Sequence, residues 1–391
     1  MLAKLVVRVV FHEGSRTAFT PLSILDPSLL SSCCSDTACT RMLLLPPVVL
    51  LSLLPLLTPF EPLLPRRSLL VHGAAAAAAT ATAWRPLSTS ALGGRPSSLK
   101  GATVVITAGH QGLGLEIASR VAEQGARVVI TARKQWQTER GVNMLAATVP
   151  GSEVIGLGLD LANLTAIREF PATLAATLGD DATVDVLVAN AQGESPFNSE
   201  RTQTIDGFER NMGVSHLGHF ALFCELLPSL RAAAERRSGF TVISISSDTH
   251  RDVVPGALFY ALDSELALPA DETTQFERFR YAKVANVLFT AELARRLEAA
   301  GVRGSAVAVG LEDPRIALVT PTAPTASLIA SLAAADADWD GRGGDRGRQG
   351  ALYVSSVSGK IEEPSAAASN PRFAKRLWEL SERLTGETAR F

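Results

Sequence analysis

Phe279 and Lys283 stand four residues apart in a stretch whose pattern predicts a helix, so both lie on one face of it. An amine beside a ring hydroxyl can move protons, because the positive charge lowers the pKa of the hydroxyl. Here the ring is phenylalanine, which has no hydroxyl. Tyr281 is two residues from each, roughly 200° around the helix, and points away from Lys283. The pair would form a proton-transfer site if position 279 carried a ring hydroxyl.

A glycine-rich turn lies between the first apolar strand and an amphipathic helix. It reads Thr107-Ala108-Gly109-His110-Gln111-Gly112-Leu113-Gly114. Glycines at such a turn let the backbone approach a pyrophosphate at a helix N-terminus. Ala108 adds a methyl group and disfavours positive φ, so we expect the turn to shift or Gly109 to relieve it. A tight strand-to-helix turn without a ligand is the alternative.

The chain from Leu99 onward alternates strand and helix patterns, which is typical of a doubly wound parallel sheet with helices on both faces. We predict one such α/β domain over residues 96–391. The predicted strands are 102–107, 127–132, 154–160, 184–191, 241–246 and 305–311. The predicted helices are 113–123, 206–230, 275–300 and a last one that begins at Asn370-Pro371 and ends at Gly386.

These motifs together resemble the short-chain dehydrogenase/reductase family, in its retinol-dehydrogenase-like branch. The segments that carry the resemblance are the Thr107–Gly114 loop, Val214-Ser215-His216-Leu217-Gly218-His219-Phe220, Ile243–His250 and Phe279–Leu297. It covers nearly all of Leu99 to Thr388. The resemblance implies a Rossmann-like fold and an NAD(P)-dependent oxidoreductase that interconverts a carbonyl and an alcohol on a small apolar substrate.

Four positions of the reaction centre follow from the resemblance. Ser247 matches the serine that hydrogen-bonds the substrate oxygen, and Lys283 matches the lysine that holds the nicotinamide ribose. Ser215 stands at the family's asparagine, which helps to hold that lysine through water. Phe279 stands where the family has its catalytic tyrosine.

Arg133 closes the second predicted strand, at the edge where an acid would bind the adenosine ribose and a basic group accommodates a 2′-phosphate. NADP(H) is therefore favoured over NAD(H), with a solvated arginine as the alternative. The resemblance implies that Asp160 lies beside the adenine ring and that Asn190 ends the fourth strand near the cofactor. The remaining implied cofactor positions are Thr107, Gly109, His110, Gly112, Leu113, Gly114 and Lys283.

The departures from the family pattern concentrate around the cofactor and the reaction centre. They are Ala108, Gln192, Ser215, Phe279 and Arg315. This distribution leaves two hypotheses: an NADP(H)-dependent oxidoreductase whose activity Phe279 impairs, or a catalytically inactive nucleotide-binding sensor or scaffold with the same fold.

Three further side chains could suggest chemistry. Tyr260 lies thirteen residues past Ser247, but Ser264 rather than lysine follows four residues later, so we expect Tyr260 to pack in a loop or lid. His216 and His219 have no carboxylate or cysteine at ligand spacing. We therefore expect packing roles for both histidines and no metal.

Residues 1–95 read as a targeting leader, disordered or removed in the mature protein. Its apolar run, 43–57, is broken by prolines, and no acid occurs between Glu61 and Glu116. Import into an organelle is expected, with a plastid favoured over a mitochondrion or the endoplasmic reticulum membrane; translation from Met42 is the alternative. Membrane contact is expected only through residues 43–60. The net charge of −2 argues against a nucleic-acid partner, and the sequence assigns no oligomeric state.

Overall fold

The computed structural model describes residues 98–179, 183–194, 202–237, 239–264, 266, 274–313, 322–335 and 352–391. All of them belong to the second of the two units into which the chain divides, Ala81–Phe391. The leader predicted over residues 1–95 and Arg315 lie outside the described residues.

Seven strands of the described residues form one parallel sheet, in the order β3-β2-β1-β4-β5-β6-β7. They are β1 (Thr103–Ile106), β2 (Arg127–Ala132), β3 (Val154–Gly158), β4 (Val186–Ala189), β5 (Phe240–Ser247), β6 (Gly304–Leu311) and β7 (Leu352–Ser355). The order reverses between β1 and β4, and in open sheets of this kind ligands bind outside the carboxyl ends of the strands at that point.

Helices connect the strands. They are α1 (Gly112–Glu123), α2 (Gln135–Thr148), α3 (Leu164–Leu178), α4 (Arg210–Met212), α5 (Gly218–Arg236), α6 (Pro255–Asp263), α7 (Gln275–Ala300), α8 (Thr322–Ala333) and α9 (Pro371–Thr385). A π-helical turn, Gly213–Leu217, joins α4 to α5, and a 3₁₀ turn, Asp248–Asp252, follows β5. Within the described part of the chain, no helix combines the length and apolar character needed to span a bilayer.

The hydrophobic core lies on both faces of the sheet, because successive strand residues point to opposite sides. Val104 and Ile106 of β1 pack with Ile117 of α1 on one face, where α8 also lies. Val105 packs on the other face, in a cluster that includes Leu222 of α5 and residues of α3 and α7. The predicted doubly wound α/β architecture is therefore confirmed.

The helix predicted over residues 206–230 was placed too early. Asp206 is not part of it, because its carboxylate accepts a hydrogen bond from the Leu164 backbone N–H at 3.0 Å, at the start of α3. Glu209 caps the helix instead, since its carboxylate accepts from the backbone N–H groups of Asn211 and Met212. The helical segment then continues through the π turn to Arg236. Helix α7 has the predicted bounds.

Ala108 keeps the conformation that a glycine would adopt. Its φ is +52°, in the left-handed region that L-residues with a Cβ occupy at a cost of roughly 1–2 kcal/mol. The turn has not shifted to avoid this strain, and Gly109 does not take over the positive φ. Gly109 has a different constraint, because a Cβ there would lie 2.7 Å from Cγ2 of Ile130.

We expect Ala108→Gly to raise the free energy of unfolding by about 0.5–1 kcal/mol, because relief of the left-handed strain outweighs the added entropy of the unfolded chain. Urea denaturation followed by circular dichroism measures this change. Ala118→Gly, inside α1, is the matched control and should lower the same quantity by about 1 kcal/mol. Equal destabilisation by both variants would contradict the assignment of strain to Ala108.

Candidate active site

The carboxyl ends of β1, β4 and β5 bring the predicted site residues to one edge of the sheet. Thr107 follows β1, Asn190 follows β4, and Ser247 is the last residue of β5. Helix α7 crosses the end of β5 and carries Phe279 and Lys283.

Thr107 joins β1 to β4 and is fully buried. Its hydroxyl oxygen accepts hydrogen bonds from the backbone N–H groups of Asn190 at 2.8 Å and Ala191 at 2.9 Å. His219 Nδ1 lies 3.0 Å from the carbonyl oxygen of Ser215, which can only accept, so the imidazole proton is on Nδ1. His219 Nε2 therefore accepts the Thr107 hydroxyl proton at 2.8 Å. Protein groups therefore satisfy both the donor and the acceptor capacity of the Thr107 hydroxyl. These hydrogen bonds hold the end of β1 against the end of β4.

The glycine loop leaves no room for side chains where it meets β4. A Cβ on Gly114 would lie 2.4 Å from the carbonyl oxygen of Ala108 and 2.7 Å from Nδ2 of Asn190. That Asn190 amide donates to the Thr107 carbonyl oxygen at 3.0 Å and closes the loop against β4. Gly112 has a φ of +53° and open space around it. Leu113 is half-buried and packs against the core beneath α1.

A cleft beside the loop collects three of the predicted cofactor residues, His110, Arg133 and Asp160. Arg133 is exposed, and Asp160 is half-buried with its carboxylate accepting from the Ala162 backbone N–H at 3.0 Å. Burial lowers the pKa of His110, and the charges of nearby arginines lower it further. Arg210 and Gln137 also line the cleft. Neither was expected, because no local pattern marks them: the chain brings them in from α4 and α2.

Gln192 stands at the rim of this cleft and is exposed. The next residue cannot carry a side chain, because a Cβ on Gly193 would lie 2.3 Å from the carbonyl oxygen of Arg210. The backbone N–H of Gly193 donates to the Ser215 hydroxyl at 3.2 Å, across from the π turn. Ser215 therefore holds the loop after β4.

Ser247, Phe279 and Lys283 are all buried, with exposed fractions of 1%, 4% and 1%. Ser247 caps the 3₁₀ turn, where its hydroxyl accepts from the Thr249 backbone N–H at 3.4 Å. Lys283 Nζ lies 5.1 Å from the centre of the Phe279 ring, within the range of a cation–π contact. The predicted pair thus shares one helix face and one buried environment.

Two side-chain contacts hold α7 on the end of β5. The Ser246 hydroxyl donates to the Lys283 carbonyl oxygen at 2.8 Å, and Asn286 Nδ2 donates to the Ile245 carbonyl oxygen at 2.9 Å. Lys283 Nζ reaches the same Ile245 oxygen at 3.3 Å. Burial lowers the pKa of Lys283 to about 7, since no acidic side chain among the described residues opposes the loss of hydration.

The first turn of α7 belongs to a buried polar network that sequence patterns do not mark. Arg278 Nε donates to Gln275 Oε1 at 3.1 Å and lies 3.9 Å from Glu209 Oε1. Gln275 Nε2 donates to Glu194 Oε2 at 3.1 Å. The network fixes the turn beside Phe279 to the segment that follows β4.

Of the other side chains singled out from the sequence, the histidines have structural roles and Tyr260 does not. Tyr260 is 59% exposed on α6, so its expected packing role is wrong. His216 Nε2 lies 2.8 Å from the Ser381 hydroxyl, which ties the π turn to α9. His250 Nδ1 donates to the Ser247 carbonyl oxygen at 2.9 Å, and its Nε2 accepts from the Ser365 backbone N–H at 3.1 Å. Across the described ranges, no three His, Cys, Asp or Glu side chains are grouped to hold a metal ion.

Comparison with known proteins gives the class. The family model described as short chain dehydrogenase matches residues 102–262. Human retinol dehydrogenase 13 is 30% identical over 303 residues, which cover 74% of this chain and 86% of that protein. Human dehydrogenase/reductase SDR family member 13 is 33% identical over 75% of each chain. The chain belongs to the short-chain dehydrogenase/reductase family, whose members are NAD(P)-dependent oxidoreductases.

A solved structure has a similar fold. The crystal structure of a protein from Mycobacterium paratuberculosis is 28% identical, covers 75% of this chain and 97% of its own, and superposes with a TM-score of 0.59.

We expect Lys283→Met to stabilise the protein, most strongly at and below pH 7. Lys283 has a pKa of about 7 when folded and about 10.4 when unfolded, so the unfolded chain binds more protons between these values. The wild-type free energy of unfolding should therefore rise with pH across this range, by up to about 1.4 kcal/mol per pH unit. Lys283→Met should remove this slope in urea denaturation curves.

Lys375→Met is the matched control, because Lys375 is exposed and pairs only loosely, at 3.8 Å, with Glu379. It should leave the slope in place. A Lys283→Met variant that is less stable than wild type at pH 7 would show that the ammonium is well paired.

Proposed function

We propose that this chain is an NADP(H)-dependent oxidoreductase that interconverts a carbonyl and an alcohol on an apolar substrate, with a proton-transfer step altered by Phe279. The observation that carries the proposal is the cleft in which the glycine loop, Arg133 and Asp160 lie together. Relatives named as retinol dehydrogenases support an apolar alcohol as the substrate class.

The residues present fit a dinucleotide. The turn from Gly112 to Gly114 brings backbone N–H groups to the start of α1 without side chains in the way, as a pyrophosphate requires. Arg133 is exposed at the rim, where a 2′-phosphate would find a basic partner. Gln192 stands at the rim and not inside the loop, which leaves the turn open. When bound, the cofactor supplies or accepts a hydride.

Ser247, Phe279 and Lys283 do not line this cleft, and they would act at the end of β5, where α7 packs. Ser247 would orient the substrate oxygen, and Lys283 would hold the ribose. Phe279 provides a ring face but no proton. Loss of one general acid typically slows a reaction by about 10²–10⁴-fold, so we expect slow turnover instead of none.

A second candidate function has its own support. Ser247, Phe279 and Lys283 are each less than 5% exposed, whereas the cofactor cleft is open. A protein that binds nucleotide and carries out no reduction, as a sensor or scaffold, would also fit this contrast.

We expect the full chain to bind NADPH at least tenfold more tightly than NADH, measured from nicotinamide fluorescence. Arg133→Ala should weaken NADPH binding by about 10- to 100-fold and leave NADH unchanged, because a charge-assisted contact to phosphate contributes about 1.5–3 kcal/mol. Arg372→Ala, an exposed arginine at the start of α9, is the control and should change neither affinity.

Failure to bind either nucleotide would contradict the proposed function. Equal weakening of both nucleotides by Arg133→Ala would contradict the role of Arg133 in reading the phosphate. Tight NADPH binding without oxidation of NADPH by the apolar aldehyde nonanal would favour the sensor or scaffold.

A further inference from the structure

We propose that Arg210 binds the adenine ring of the nucleotide, with its guanidinium lying flat against one face of the base. The inference rests on the proposed function, because it adds a contact to the dinucleotide of that cleft. It assigns a residue of α4 that none of the sequence motifs includes. Arg210 would contribute affinity for any adenine nucleotide, with or without a 2′-phosphate.

Arg210 lies where two walls of the cleft meet. A Cβ on Gly193 would lie 2.3 Å from the Arg210 carbonyl oxygen, so α4 packs directly on the segment after β4. The Arg210 guanidinium donates to the Gln203 carbonyl oxygen at 3.4 Å. The turn that begins at Gln203 packs on the segment after β3, since the Ile205 backbone N–H donates to the Ala162 carbonyl oxygen at 3.1 Å. The guanidinium is thus tied to the β3 side of the cleft.

The base of a bound nucleotide has to lie on this side. In the proposed binding mode the start of α1 meets the pyrophosphate and Arg133 meets the 2′-phosphate, so the adenosine ribose lies between them. The base on that ribose then occupies the part of the cleft that Leu161, Val214 and Arg210 line. Leu161 and Val214 are buried and apolar. Two apolar side chains and a planar cation suit a flat heteroaromatic ring.

The Arg210 guanidinium is available for a ligand. In the described part of the chain it makes one hydrogen bond, the long one to Gln203, and no ion pair. The neighbouring acid, Glu209, is used elsewhere, because its carboxylate caps α4 and lies 3.9 Å from Arg278 Nε. Arg210 is half-buried, so a ligand that covered it would lose little of the existing structure.

The sheet order separates Arg210 from the phosphate-binding groups. Strand β1 lies between β2 and β4, so Arg133, which follows β2, and Gly193, which follows β4 and packs on Arg210, flank the glycine loop on opposite sides. We therefore assign the two arginines to different parts of one nucleotide. The pyrophosphate already has the backbone N–H groups at the start of α1. A guanidinium is weakly hydrated and stacks readily on a π-system, which fits the base.

The test compares three substitutions at Arg210 by fluorescence titration of the full chain with NADPH and NADH. Arg210→Ala should weaken both nucleotides by the same factor, about 5- to 30-fold, through loss of a cation–π contact. Arg210→Tyr should stay within about twofold of wild type, because it keeps a flat face without a charge. Arg210→Lys should lose nearly as much as Arg210→Ala, because it keeps the charge without the plane. Arg372→Ala is the control and should change neither affinity.

Two competitors against NADPH locate the contact on the nucleotide. Arg210→Ala should weaken competition by AMP by the same factor as NADPH and leave competition by nicotinamide mononucleotide unchanged, because AMP alone carries the base. Circular dichroism checks that each variant is folded. All three variants should fold, since the Arg210 side chain makes only the Gln203 contact in the described part of the chain.

Three outcomes would overturn the inference. Arg210→Ala could leave both affinities unchanged. It could weaken NADPH alone, which would make Arg210 a second reader of the 2′-phosphate. Arg210→Lys could retain binding while Arg210→Tyr loses it, which would assign the guanidinium to the pyrophosphate.

These outcomes differ from failure of the proposed function. If wild type binds neither NADPH nor NADH, the proposed function and this inference both fall. Wild-type binding that does not depend on Arg210 removes this inference alone.

Discussion

The arrangement of this site depends on how α7 is fixed to the end of β5. Ser246 and Asn286 make the two shorter hydrogen bonds between the two elements, one to a helix carbonyl and one to a strand carbonyl. Both hydrogen bonds are accepted by backbone oxygens. They therefore fix the position of α7 along β5 and its rotation about its own axis, and neither depends on the side chain at position 279. The docking therefore sets where Phe279 and Lys283 stand relative to Ser247, and it explains how the site persists without the ring hydroxyl.

The same docking creates the energetic conflict at Lys283. The helix carries the amine into a buried environment, and in the described part of the chain neither an acid nor a phenol compensates for the lost hydration. A protein that needed only a helix anchor would be more stable with an apolar side chain there, since Asn286 performs the anchoring. A costly ionisable group within a candidate active site is a common sign of function. The cleft around Arg133 is not lined by Lys283, so the proposed dinucleotide site does not depend on this conflict.

Sequence patterns correctly predicted the features that depend on residues close together in the chain. The strand–loop–helix around Thr107, the bounds of α7 and the Asn370 and Gly386 caps of α9 all follow from capping, glycine and apolar periodicity. What was missed depends on distant partners. Asp206 accepts a hydrogen bond from Leu164 at the start of α3, Arg210 reaches the cleft from another element, and β7 is a four-residue edge strand whose pairing comes from β6. The sequence predicted that alanine would be strained at position 108. The positive φ of Ala108 in the structure shows that the turn retains this strain.

The most direct test of this account is the titration of the Lys283 amine itself. Protein labelled with ¹³C at the lysine ε-carbons, compared with Lys283→Arg to assign the signal, reports the protonation of this one group by NMR between pH 5 and 11. The account predicts a midpoint near pH 7, because burial is uncompensated. A midpoint near the ordinary value for lysine, about 10.4, would mean that the amine is hydrated or paired, and would contradict the central claim.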